Sequence, residues 1–170
     1  MPSSARATLP AREAEQFLDL ERFLPYRLSV LSNRVSNAIA RRYSERFGLT
    51  VSEWRVMAVL GGTPALSARE VALRTEMDKV QVSRAVANLV HVKRVQKNAD
   101  AADGRVTRLS LTPRGLAIYE EIVPLALHLE ELFLEALAPG ERAEFDRLMA
   151  KLARQAKLLG AADIASSREK

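Results

Sequence analysis

From Leu20 to Arg46 the apolar positions Phe23, Val30, Leu31, Val35, Ala38 and Ile39 recur mostly at three- and four-residue steps, with Phe47 following. That spacing predicts a long helix with one apolar face. Gly48 suits the left-handed residue that stops it. Thr50 and Glu53 have the spacing of a capping box. The helix they open carries Trp54, Val56, Met57, Val59 and Leu60 and ends at Gly61-Gly62-Thr63-Pro64. Ser67 and Glu70 repeat the capping box before a short helix with Val71, Ala72 and Leu73. Thr75-Glu76-Met77 makes a brief turn. Asp78, with Gln81 three residues on, then caps a helix that runs to about Val92 and buries Val82, Ala85, Val86, Leu89 and Val90. Two helices joined by so short a turn form a helix-turn-helix.

After Val92 the period changes. Val95-Gln96-Lys97 and Val106–Leu111, the latter with apolar residues at 106 and then, after a phase slip, at 109 and 111, read as two short strands. Asp103-Gly104 between them is a turn signal. The hairpin is a wing. Thr112-Pro113 is an N-cap followed by proline at the first helical position. The helix it starts is expected to reach about Leu137, kinked at Pro124, which cannot donate to the carbonyl of Glu120. Pro139-Gly140-Glu141 precedes a last amphipathic helix that ends near Leu159. The fold class is mainly α: a winged helix-turn-helix over 49–112, with long helices over 20–47 and 113–160. Residues 1–19 are expected to be a flexible arm and 161–170 a flexible tail.

Composition narrows the function. Apolar residues make up 48% and charged residues 28%, so the chain folds rather than remaining disordered. No run of 18 apolar residues exists to cross a membrane. Glu13, Glu15 and Asp19 interrupt the first twenty residues, which do not read as a signal peptide, so the cytoplasm is the expected compartment. With no cysteine, disulfides, thiolate metal sites and thiol chemistry are excluded. His91 and His128 have no nearby partner in sequence and read as surface or packing residues. No phosphate loop and no nucleophile with a base occur, so neither an enzyme nor a cofactor or metal is expected. The net charge of +5 is not spread evenly. Residues 67–114 hold ten Lys/Arg and five Asp/Glu, and the rest of the chain holds sixteen of each. A polyanion is the natural partner of that window. The flanking helices are neutral and carry more apolar face than one short core needs, which predicts a two-fold homodimer.

L-T-V-S-E-W-R-V-M-A-V-L at 49–60, L-S-A-R-E-V-A at 66–72, M-D-K-V-Q-V-S-R-A-V-A-N-L at 77–89 and D-G-R-V-T-R-L-S-L-T-P-R-G at 103–115 together resemble the MarR family of winged helix-turn-helix regulators, over roughly residues 20–160. The segment R-F-L-P-Y-R-L-S-V-L-S-N at 22–33 is similar to members that repress hydroxycinnamate catabolism genes and are released by an aromatic acyl-CoA thioester such as p-coumaroyl-CoA or feruloyl-CoA. The resemblance implies a ligand-responsive repressor on palindromic double-stranded DNA. The alternative is a constitutive or architectural DNA-binding protein without effector. Lys93 and Arg94 depart from the family pattern, which places a glycine and an apolar residue there. Either Lys93 takes a left-handed cap at some cost, or the helix ends differently and the extra charges meet phosphate.

The start of the second helix of a helix-turn-helix enters the major groove. Gln81 and Arg84 are the candidate base readers, since glutamine pairs with adenine and arginine with guanine. Lys79 and Ser83 fall nearer phosphate, and Ser67 with the amides of its helix start is a further phosphate contact. Arg105 at the wing tip would enter the adjacent minor groove. The resemblance implies that Asp103 holds it through a carboxylate–guanidinium pair. Tyr26, Arg27, Ser29 and Asn33 interrupt the apolar pattern of the first helix. The resemblance makes them, with Trp54 and Met57, candidates for an effector crevice, Arg27 meeting a carboxylate or phosphate. Trp54 and Met57 suit a core equally well, and Arg27 an intersubunit salt bridge.

Overall fold

Capping chemistry fixes where the central helices begin. Thr50, Ser67, Asp78 and Thr112 have extended backbone, and each side-chain oxygen accepts the amide three residues on. That satisfies one of the donors a helix N-terminus leaves unpaired. The computed structural model describes residues 18–63, 65–100, 103 and 106–166. Its elements are α1 (Leu24–Phe47), α2 (Val51–Gly62), α3 (Ala68–Thr75), α4 (Lys79–His91), β1 (Val95–Ala99), β2 (Thr107–Leu111), α5 (Pro113–Leu134) and α6 (Pro139–Ser166). The chain divides into two compact units at Ala38/Ile39.

In the second unit, Tyr43, Val56, Met57, Val71, Val82, Leu89, Val95, Leu109 and Ile122 are wholly buried in one core. Each element from the end of α1 to α5 thus contributes, at about 1.5–3 kcal/mol per buried side chain. Burial pushes the Tyr43 phenol up to about 12. Trp54 lies between Tyr43 and Tyr119, with ring centroids 5.6 and 6.0 Å away. Among the described residues, none of α6 belongs to this core. Its Phe145, Leu148, Met149 and Leu152 are exposed, as are Leu127, Leu132 and Phe133 of α5. β1 and β2 pair antiparallel from Val95↔Leu111 to Ala99↔Thr107. Leu66, just before α3, exchanges two backbone hydrogen bonds with Leu109, so the hairpin is fastened at its base to the helix-turn-helix.

Several ends differ from the sequence expectation. α1 starts at Leu24 rather than Leu20, because Asp19 turns the preceding segment by accepting the Glu21 amide on its carboxylate. α5, with Pro124 inside it as the sequence places it, stops at Leu134 rather than about Leu137. α6 continues past Leu159 to Ser166. The alanines at 161, 162 and 165 are strong helix formers, and no proline stops it. Residues 167–170 of the expected tail and 1–17 of the expected arm lie outside the described residues.

The end of α4 settles the departure at Lys93 and Arg94. Lys93 has φ +57°. Its amide donates to the Val90 carbonyl at 3.0 Å, and the Arg94 amide donates to the Leu89 carbonyl at 2.8 Å. This is the paired Schellman closure, with lysine where glycine is favoured. A left-handed L-residue costs on the order of 1 kcal/mol. Lys93→Gly is therefore expected to raise unfolding free energy by about 1 kcal/mol, read as a higher urea midpoint at unchanged m-value. An unchanged or lower midpoint would show that the strain is not held at this residue.

Candidate nucleic-acid interface

Helix α4 divides cleanly. Val82, Ala85, Val86 and Leu89 are buried, and Lys79, Val80, Gln81, Ser83 and Arg84 are exposed. The buried set holds the helix by its back and leaves its first turns to solvent. Among the described residues, the side chains of Lys79, Gln81, Ser83 and Arg84 make no hydrogen bond or ion pair with the protein. The exposed surface of the helix thus offers two cations, an amide and a hydroxyl whose donors are still to satisfy. Beside it, α3, α4 and the hairpin line a hollow of about 1070 Å³, with Lys79, Lys97 and Arg69 at its polar margin.

Ser67 is half-buried and largely committed to its own capping box. Its hydroxyl donates to the Glu70 carboxylate at 2.7 Å and accepts the Glu70 amide at 3.2 Å, while its own amide donates to that carboxylate at 2.8 Å. The donors left outward at that helix start are the amides of Ala68 and Arg69. The Ser67 hydrogen bonds, and after them Arg108 and Arg74, hold the Glu70 carboxyl below the usual carboxylate range. Arg108 of β2 spans the junction. It donates to Glu70 at 2.8 Å and pairs through Nε with Asp100 at the end of β1. The Asp100 carboxylate holds the Arg108 guanidinium above its ordinary pKa. Sequence reading counted Arg108 only as charge, and the structure makes it the tie between wing and α3. Asp103 is exposed, its amide donating to the Asp100 side chain at 3.1 Å. Arg105, and with it the Asp103–Arg105 pair, lies outside the described residues.

A second tie holds α4 from behind. Glu53 is buried at 4% exposure. Its carboxylate accepts the Thr50 amide at 2.8 Å and the Thr50 hydroxyl at 3.0 Å, and it also accepts the side-chain amide of Asn88 on α4. Arg94 turns inward beside it and donates to the Phe47 carbonyl at the end of α1, where a cation is favourable. Desolvation, and then the nearby Arg114, push the Arg94 guanidinium below its ordinary pKa. Of the two expectations for the Lys93-Arg94 pair, the left-handed cap at Lys93 is the one the helix end adopts, and the Arg94 guanidinium is engaged with Phe47.

This arrangement, a short capped helix, a tight turn, a second helix with an unsatisfied polar face and a hairpin fastened to both, is a winged helix-turn-helix. Residues 47–106 match the MarR family. No curated protein sequence matches the chain. Among solved structures, the chain is similar to a MarR/EmrR family transcriptional regulator from Acinetobacter sp. ADP1, at 26% identity and TM-score 0.76, over 83% of this chain and 99% of that one. It is also similar to BpsR of Bordetella bronchiseptica, whose DNA binding is regulated by 6-hydroxynicotinic acid, at 27% identity and TM-score 0.69, over 78% and 94% of the two chains. MepR of S. aureus, solved as a DNA complex, shares the fold at 18% identity and TM-score 0.71, over 78% of this chain and 97% of that one. The Acinetobacter neighbour is a transcriptional regulator, and the other two are described by their DNA binding. Among the described residues no helix is long and apolar enough to cross a membrane.

The residues that the MarR resemblance assigned to an effector are divided between the two units, four in the first and two in the second. In the first unit, Tyr26 and Arg27 line a hollow of about 520 Å³ together with Glu21 and Arg34. Ser29 and Asn33 are exposed on α1 and do not line it. In the second unit, Trp54 is half-buried in the aromatic stack, and Met57 is fully buried at 0% exposure, offering no surface to a ligand in this conformation.

Proposed function

We propose that the chain is a homodimeric, ligand-responsive transcriptional repressor of the MarR family, acting in the cytoplasm on palindromic operator DNA. The observation that carries this reading is the exposed face of α4, with Lys79, Gln81, Ser83 and Arg84 unengaged in a chain whose whole charge excess lies within residues 67–114. Gln81 and Arg84 read bases, Lys79 and Ser83 meet phosphate, and the α3 start with Ser67 adds a backbone contact. Asp103 and Arg105 serve the wing in the minor groove. The exposed apolar faces of α5 and α6 are the reason for a second copy, which would set two α4 helices about 34 Å apart. The Tyr26–Arg27 hollow, with Arg34 beside it, suits a small aromatic acid or its CoA thioester, such as a hydroxycinnamoyl-CoA. Ser29 and Asn33 of the same helix, and in the second unit Trp54 by itself, are further candidate effector contacts. The effector acts by preferring a dimer whose α4 spacing mismatches the operator.

The test is selection of a binding site from random duplex DNA, followed by mobility-shift titration at fixed salt. An enriched palindrome bound by the wild type and weakened by Arg84→Ala, by about 1–3 kcal/mol per lost base contact, supports the reading. No enrichment over random DNA would overturn it. Adding p-coumaroyl-CoA or feruloyl-CoA to the complex tests the effector class, and a complex unchanged by both removes that branch while keeping the regulator.

Arg108 gives a separate expectation. Its charge is spent on Glu70 and Asp100. Arg108→Met should weaken operator binding by loosening the wing, yet leave the slope of log K against log salt unchanged. Lys79→Met should lower that slope by about 0.9. A comparable fall for Arg108→Met would mean that Arg108 neutralises phosphate itself.

A further inference from the structure

Within the described residues of 49–112, two large apolar side chains stand in solvent, Leu73 at 65% and Val80 at 57% exposure. Leu73 lines the hollow between α3 and α4, beside Ala72, Val82 and Val86. Val80 does not line it. It is the second residue of α4, between Lys79 and Gln81, and Arg84 lies one turn further on the same side. Folding gains little from a valine there: more than half of its surface is exposed, and a β-branched residue is a poorer helix former than its neighbours. A polar residue would serve solubility better. The position is useful only if something apolar arrives from outside.

We infer that Val80 is a specificity residue that packs on the 5-methyl group of a thymine in the major groove. This rests on the DNA-binding reading above and deepens it. The thymine methyl is the one apolar feature that base edges present in that groove. Val80 stands at the helix start that enters the groove, next to one candidate base reader and one turn from the other. A helical valine keeps essentially one χ1 rotamer, so its methyls arrive already oriented and little rotamer freedom is lost on contact. The Val80 contact adds a preference for thymine next to the bases read by Gln81 and Arg84. Cytosine, which lacks the methyl, is rejected by the loss of that contact.

The experiment uses the full chain and the operator recovered by selection. Each thymine is replaced in turn by deoxyuridine, which removes the 5-methyl and nothing else, and affinities are measured for the wild type and Val80→Ala. Burying one methyl-sized group predicts about a fourfold loss. At one thymine per half-site, deoxyuridine should weaken the wild type by about that factor and leave Val80→Ala unchanged, because that variant has already lost the contact. With Val80 exposed and alanine a better helix former, the variant stays folded, which circular dichroism checks. If wild type and variant respond alike at every thymine, the Val80 assignment is wrong while the DNA-binding reading stands. If selection enriches no sequence at all, the DNA-binding reading fails and this inference with it.

Discussion

Gly115→Ala should lose about 3 kcal/mol of unfolding free energy or more. Gly115 is buried in the first turn of α5, where a Cβ would stand 2.0 Å from the Arg94 carbonyl oxygen and 2.9 Å from its carbon. Both are backbone atoms, and they are held. The Thr112 amide donates to that same carbonyl at 3.0 Å, and the Thr112 hydroxyl donates to the Lys93 carbonyl at 2.8 Å while accepting the Gly115 amide at 3.0 Å. Relief requires α5 to lift from the turn after α4, undoing these bonds together. Gly140→Ala is the control. Nothing lies within 4 Å of a Cβ there, and the exchange should be neutral or stabilise by up to about 1 kcal/mol. Urea unfolding of both variants checks the pair, and similar midpoints for the two would refute the close-approach account.

Glu53→Ala should cost about 3 kcal/mol. It removes half of a capping box and leaves the Asn88 amide without its acceptor and Arg94 without its nearest carboxylate. Because Asn88 belongs to α4, the loss is not confined to α2. Glu53→Ala and Asn88→Ala should therefore be non-additive, with a coupling of about 1 kcal/mol or more in a double-mutant cycle. Simple additivity in urea denaturation would mean that Glu53 acts only as a local cap.

These two residues also mark what was legible in the sequence. Glu53 is readable as a cap because Thr50 is three residues away, and the same local logic locates the starts of α3, α4 and α5. The periodicity of α4 gives its buried and exposed faces correctly, because one helix face alone decides them. Partners far apart in the chain were not legible. Asn88 is 35 positions from Glu53, Phe47 is 47 positions from Arg94, and Glu70 is 38 from Arg108. Charge counting treats Arg94, Arg108 and Arg84 alike, and only the fold separates two internally engaged guanidinium groups from one facing solvent. At Lys93 the sequence admits two helix ends for a related reason. The sequence shows a non-glycine at the end of α4, but the two carbonyls that make the left-handed turn worthwhile belong to the folded helix end.

Trp54, seated between Tyr43 and Tyr119, is the single tryptophan of the chain. Its two neighbours come from the end of α1 and from α5, so its indole emission reports the junction of three helices from inside. Any rearrangement that separates those helices alters the polarity around one fluorophore, against no background from another tryptophan. The protein therefore carries its own optical gauge, and unfolding can be followed on unlabelled material at a single emission band.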